Sequence, residues 1–109
     1  MDKITAEAKT EQLLRELGFS PRHIGFRVLC VAIPRYAEDD AQSLTKELYP
    51  GLRQQFGYTH PTAIERPIRY AITRAWNRGR SDVWQKYFPR ASHAPSNWNL
   101  IAALAEQIR

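Results

Sequence analysis

Residues 62–79 read TAIERPIRYAITRAWNRG, and the reading of this stretch decides the fold. Ile64, Ile68, Ala71, Ile72 and Ala75 recur at helical spacing and form one apolar stripe. Arg66, Arg69, Thr73 and Asn77 fall on the opposite face, with Tyr70 beside them and Glu65 on the flank. A helix of this pattern lies against a core on one side and offers cationic and hydrogen-bonding groups on the other. Thr62 and Glu65 have the T-x-x-E spacing of a capping box, which predicts a helix over 62–78. Gly79 then supplies the stop. Taken alone, such a helix reads better as a surface helix with a solvated basic face.

The distribution of charge argues for more than a solvated face. The chain of 109 residues carries a formal charge of +5. Residues 1–59 hold eight Lys/Arg and eight Asp/Glu, and residues 91–109 hold one of each. The excess sits in residues 60–90, where Arg66, Arg69, Arg74, Arg78, Arg80, Lys86 and Arg90 face only Glu65 and Asp82. A local concentration of cations, all but one of them arginine, is the electrostatic footprint of a polyanion partner, most simply a nucleic acid.

Other classes find little support. The single cysteine, Cys30, lies in the apolar run FRVLCVAI and reads as a packed core thiol; one cysteine forms no internal disulfide and fits a reducing compartment. No run approaches the ~20 apolar residues of a membrane span. The N-terminus MDKITAEAKTEQ has no apolar signal core, so the expected location is the cytoplasm. His23, His60 and His93 are isolated, with no H-x-x-x-H or H-E-x-x-H spacing, and no glycine-rich phosphate loop is present. An enzyme is therefore not expected, and neither is a metal, a cofactor or a small-molecule substrate.

Along the chain the pattern is helical throughout, and the fold class is all-α, with about six helices around a central helix-turn-helix and no wing strands. Residues 1–4 read as loose and Thr5 to Leu17 as the first helix, with Leu13, Leu14 and Leu17 inward. Ser20-Pro21 predicts a cap and first turn for a helix from Pro21 to about Tyr36, with Ile24, Val28, Val31 and Ala32 inward. Phe26, Leu29 and Ile33 read as partly buried, and Pro34 as a kink or terminus. Asp39 or Asp40 caps a helix from Ala41 to Tyr49, with Leu44 and Leu48 inward; Pro50 opens a short helix, PGLRQQF, that Gly57 ends. The turn GYTHP leads into the stretch at 62–79, giving the order short helix, glycine turn, long helix. Ser81 or Asp82 caps a short helix through Phe88, and Ser96 caps a last one, Asn97 to Ile108, with Leu100, Ile101, Leu104 and Ile108 inward.

Four blocks in this order resemble the C-terminal DNA-binding effector domain of the stage-zero sporulation protein A family, the sporulation response regulators. IERPIRYAITRAWNRG is similar to that family's V-E-R-A-I-R-H-A-I-E-x-A-W-x-R-G recognition helix. SLTKELYP is similar to the stretch before its helix-turn-helix, and LGFSPRHIGFRVL to its opening pattern. PSNWNLIAALAEQIR is similar to its final helix. The resemblance implies residues 1–12 as lead and start of the first helix, and 13–109 as a single helical DNA-binding domain. It implies a transcription regulator that reads a short duplex box with a T-G-x-C-G-A-A-like core, often in tandem copies that seat a second protomer. The base-reading positions carry over to Glu65, Arg66 and Arg69, with Arg66 placed to fork onto guanine O6 and N7. Glu65 suits cytosine N4 or the Thr62 cap, and Arg69 a base or a phosphate. Backbone or neighbouring contacts are expected from His60, Thr62, Tyr70, Thr73, Asn77, Arg78, Arg80, Lys86 and Arg90, with Arg74 also suited to phosphate.

Three departures from the family pattern shape this expectation. The turn GYTHPTA is one residue longer and contains Pro61. Pro67 stands where the family has alanine, and deep inside a regular helix it costs about 3 kcal/mol, which predicts a re-registered first turn. Only a dozen residues precede Leu13, so control without a receiver domain is expected. The competing reading is a protein-interaction module that pairs with or antagonises a full-length sporulation regulator, through Trp76, Trp84, Tyr87 and Trp98.

Overall fold

The computed structural model describes residues 2–39 and 44–109, with the side chains of 44, 45, 61 and 62 left aside. Its helices are α1 (Lys3–Glu16), α2 (Ile24–Glu38), α3 (Tyr49–Phe56), α4 (Glu65–Arg78), α5 (Ser81–Tyr87) and α6 (Asn97–Ile108). A π-helical turn, Leu44–Leu48, runs into α3, and a 3-10 turn, Pro61–Ile64, runs into α4. No strand occurs among the described residues. The all-α expectation holds.

α2 is the centre, packed against α1, α4 and α6. Being covered on three sides, it buries a wider arc than one stripe: Phe26, Val28, Leu29, Ala32, Ile33, Pro34 and Tyr36 are all inside. Periodicity put Phe26, Leu29 and Ile33 at the margin and Ile24 and Val31 inside. The structure reverses the assignment of Ile24, which is 42% exposed, and leaves Val31 half-buried. Pro34 does not stop the helix, which continues to Glu38. The apolar side chains around it, Ile33 and Tyr36 among them, are worth roughly 1.5–3 kcal/mol each when buried, enough to offset the lost backbone bond.

Local chemistry moves other boundaries. α1 begins at Lys3, because Asp2 caps it by accepting the Thr5 N–H at 2.8 Å; that bond also holds the Asp2 carboxyl below its usual range. Ser20 does not cap α2. Its hydroxyl accepts the Arg22 N–H at 3.3 Å and its carbonyl accepts the His23 N–H at 3.1 Å, so Ser20–His23 is a turn and α2 starts at Ile24. The turn lets Phe19 enter the core before the helix begins. The expected cap at Asp40 and helix start at Ala41 lie outside the described residues, as does the side chain of Leu44; Asp39 ends α2. Pro50 is the second residue of α3 and does not open a separate helix, because the chain is helical across it from Leu44. Neither Ser81 nor Asp82 caps α5, because Arg80 holds the cap position without a side-chain bond. α6 matches the sequence reading at both ends: Ser96 Oγ accepts the Asn99 N–H at 3.1 Å, and Leu100, Ile101, Leu104 and Ile108 are buried.

Cys30 lies half-buried on α2. Burial, then the nearby Glu11 and Glu7 carboxylates, push its thiol up to about 12, against the opposing pull of Arg15. A raised thiol value means fewer thiolates at any given pH. At pH 8 the thiolate is far scarcer in the fold than in the unfolded chain. Iodoacetamide labelling at pH 8 is therefore expected to be slow in the native protein and to accelerate with guanidinium in step with unfolding. Rapid native labelling would mean the thiol is not held in this environment.

Candidate nucleic-acid interface

α3 and α4 form the helix-turn-helix. Tyr49 and Leu52 anchor α3 in the core, and burial raises the Tyr49 hydroxyl above its usual value. Gly57 ends α3 in the left-handed region at φ 76°. Arg53 Nη1 donates to the Thr59 carbonyl at 3.2 Å and holds the turn toward α4.

The start of α4 corrects the sequence reading of a helix over 62–78. The 3-10 turn takes Pro61–Ile64, the α-helix begins at Glu65, and its cap position is the buried Ile64, with no side-chain cap bond. Thr62 is thus not the cap, and its side chain lies outside the described residues. The shift has a physical reason. With α4 starting at Glu65, Pro67 falls in the first turn, where a backbone N–H has no helical acceptor. The re-registration predicted from Pro67 is what the helix shows.

Ile68, Ala71, Ile72 and Ala75 are buried, and Ile64 joins them from the 3-10 turn. On the outer face Arg66, Tyr70, Thr73 and Asn77 are exposed at spacings of four, three and four, a straight stripe along the helix. Arg74 and Arg78 are exposed to one side of it. Arg69, on the other side, is half-buried: Nη1 donates to the Pro95 carbonyl at 2.9 Å and Nη2 to Thr73 Oγ1 at 3.4 Å. Glu65 is half-buried on the same flank, and its carbonyl accepts from Asn97 Nδ2 at 3.2 Å. The start of α6 therefore braces this edge of α4.

The opposite edge of α4 meets the start of α2. Gly25 passes so close that a Cβ there would lie 2.1 Å from the Pro67 carbonyl oxygen. His23 stands edge-on to Tyr70 with ring centroids 5.3 Å apart, and the Arg74 guanidinium lies 6.0 Å from the same Tyr70 ring. Sequence reading left His23 isolated, since its neighbour is 47 positions away and no local signal marks the pair.

The remaining predicted contacts are dispersed. His60 is exposed in the turn before α4. Arg80 forms a local ion pair with Asp82 at 2.9 Å, and both side chains are exposed. Lys86 lies over the Tyr87 ring, whose hydroxyl donates to Glu16 of α1 at 3.0 Å. Arg90 lines an open groove with His93, Asn99, Ala102 and Glu106. The aromatic surface expected for an interaction module is not assembled: Trp84 is buried, Trp76 and Tyr87 are half-buried, and Trp98 is 53% exposed. Among the described residues no helix is long and apolar enough to cross a membrane.

A family model described as "Sporulation initiation factor Spo0A C terminal" matches residues 10–108 of the 109. The chain belongs to this family, whose domain is the DNA-binding effector of a sporulation regulator rather than an enzyme.

Proposed function

We propose that this chain is a sequence-specific transcription regulator that seats α4 in the major groove of duplex DNA. The observation that carries the reading is the stripe Arg66, Tyr70, Thr73 and Asn77 on a helix whose other face is locked in the core. Arg66 is exposed near the helix start and suits the bidentate contact to guanine, while Glu65 beside it suits cytosine N4. Arg69 already gives one N–H to Pro95. It reads a base, if at all, from a braced position, or it steadies the loop before α6 against a phosphate. His60, Thr62, Tyr70, Thr73, Asn77, Arg78, Arg80, Lys86 and Arg90 supply backbone contacts or, on tandem boxes, contacts to a second protomer.

The test is fluorescence anisotropy on a duplex with two tandem family-type boxes, beside a scrambled duplex, at several salt concentrations. The expected result is a preference for the boxes and a steep fall of affinity with salt. Arg66→Ala is expected to weaken box binding about tenfold to a hundredfold, the worth of one bidentate base contact, and to leave the melting temperature unchanged. A folded protein that binds neither duplex at low salt overturns the reading.

A further inference from the structure

α4 presents its stripe between two braced edges. A helix about 10–12 Å across fills a major groove about 12 Å wide, so a group beside the helix at the level of its outer face meets the phosphate wall. On the α2 edge two side chains converge on the ring of Tyr70. Tyr70 belongs to the stripe and is 55% exposed; His23 lies edge-on to it at 5.3 Å, and Arg74 reaches to within 6.0 Å of it. Arg22, immediately before His23, is exposed, and the Ser20 hydroxyl and carbonyl fix the backbone of both residues. We propose that Arg22 and His23 form a phosphate clamp on the wall of the groove that α4 occupies, with Tyr70 as the platform that sets its position. The proposal rests on the major-groove reading of α4.

The charge pattern of the sequence hides this contact. Arg22 belongs to residues 1–59, where positive and negative residues balance; its neighbour His23 meets Tyr70 and Gly25 packs on Pro67, which sets this segment beside the basic helix. A clamp and a merely structural His23–Tyr70 contact differ in what they move. The clamp supplies a sequence-independent term, so its loss weakens all duplexes alike and lowers the salt slope. A packing contact changes melting temperature and leaves the slope alone.

The experiment compares Arg22→Ala, His23→Gln and the double variant with the parent on the box and scrambled duplexes across a salt series. Lys9→Ala, which removes one exposed positive charge from α1, controls for net charge. Arg22→Ala is expected to lower affinity about threefold to tenfold on both duplexes, to reduce the slope of log K against log salt by about one, and to preserve the box preference. The double variant is expected to lose more of both. Arg22→Ala behaving like Lys9→Ala, or losing affinity on the box alone, overturns the clamp. If His23→Gln disturbs the fold, Arg22→Ala decides, because its side chain is exposed. A parent that binds neither duplex fails the major-groove reading and the clamp with it. A parent that binds, with an unaltered slope in Arg22→Ala, fails the clamp only.

Discussion

Gly25→Val is expected to destabilise the protein by at least about 3 kcal/mol and to weaken box binding more than tenfold in the molecules that still fold. A Cβ built on Gly25 meets the Pro67 carbonyl oxygen at 2.1 Å and the Ala71 Cβ at 2.7 Å, well inside the ~3.5–4 Å of favourable contact. Neither atom is the end of a flexible chain, so one helix has to move. α2 is held by α1 and α6, and α4 is the partner that gives way, taking the stripe with it. Helix propensity pulls the other way, because alanine is about 1 kcal/mol better than glycine inside a helix. Even Gly25→Ala should still lose, since overpacking of this kind costs about 1–3 kcal/mol. Gly51→Ala is the matched control. Among the described residues its Cβ would meet only the Arg35 Nη1 at 3.2 Å, the far end of a long side chain, so it is expected to be neutral or stabilising by up to about 1 kcal/mol. Urea denaturation reads the stability and anisotropy reads the aim of α4. A Gly25→Ala protein with parental stability and affinity would mean that α2 and α4 are not in close contact.

Some boundaries set by chemistry within three or four residues were legible in the sequence; the Asp2 cap and the Ser20 turn, equally local, were not, and neither were those set by distant packing. Ser96 caps α6 through the N–H three positions on, so the pattern alone placed it. Gly57 ended α3 for the same kind of local reason. Pro34 misled because the penalty of an internal proline is local, while the burial that outweighs it comes from α1, α4 and α6. Thr62 misled in the opposite way. Its capping spacing was real, but Pro67 and the burial of Ile64 suit a helix that starts at Glu65.

The same division runs through the candidate site. Helical periodicity placed Arg66, Thr73 and Asn77 on the outer face, and the resemblance pointed to Arg66 among them. Periodicity also put Arg69 there with Tyr70 beside, whereas the structure has Tyr70 on the line and Arg69 on the flank. Nothing within a few residues of Arg69 predicts that its guanidinium donates to a carbonyl 26 positions away. Nor does anything near His23 predict Tyr70. Both flanks of α4 are made of chain that is remote in sequence, so a one-dimensional reading shows the exposed line and misses the edges beside it.

Trp84→Ala is expected to cost about 3–5 kcal/mol, a large share of the ~5–15 kcal/mol that holds a domain of this size folded, and to lower the melting temperature by on the order of 15 °C. Trp84 is 2% exposed and lies among Trp76, Phe19 and Phe88, at ring-centroid distances of 5.1, 6.1 and 5.7 Å. Its Nε1 donates to the Leu17 carbonyl at 2.9 Å, tying α5 to the end of α1. The two turns it joins leave no space: a Cβ on Gly79 would lie 2.3 Å from that same Leu17 oxygen, and one on Gly18, whose φ is 97°, would lie 2.9 Å from the Gly79 Cα. Trp84→Phe separates the two contributions, because it keeps a ring and removes the donor. It is expected to cost about 1–3 kcal/mol, the penalty of a buried carbonyl left without its partner. Thermal melts and urea curves measure both variants. The tie also reaches the proposed phosphate clamp, since the segment from Leu17 leads directly to Arg22 and His23. If that segment is aimed by the Trp84 bond, Trp84→Phe should lower affinity for the scrambled and box duplexes in equal proportion, while Arg66 continues to discriminate between them. A Trp84→Phe protein with full affinity but reduced stability would confine the bond to the core.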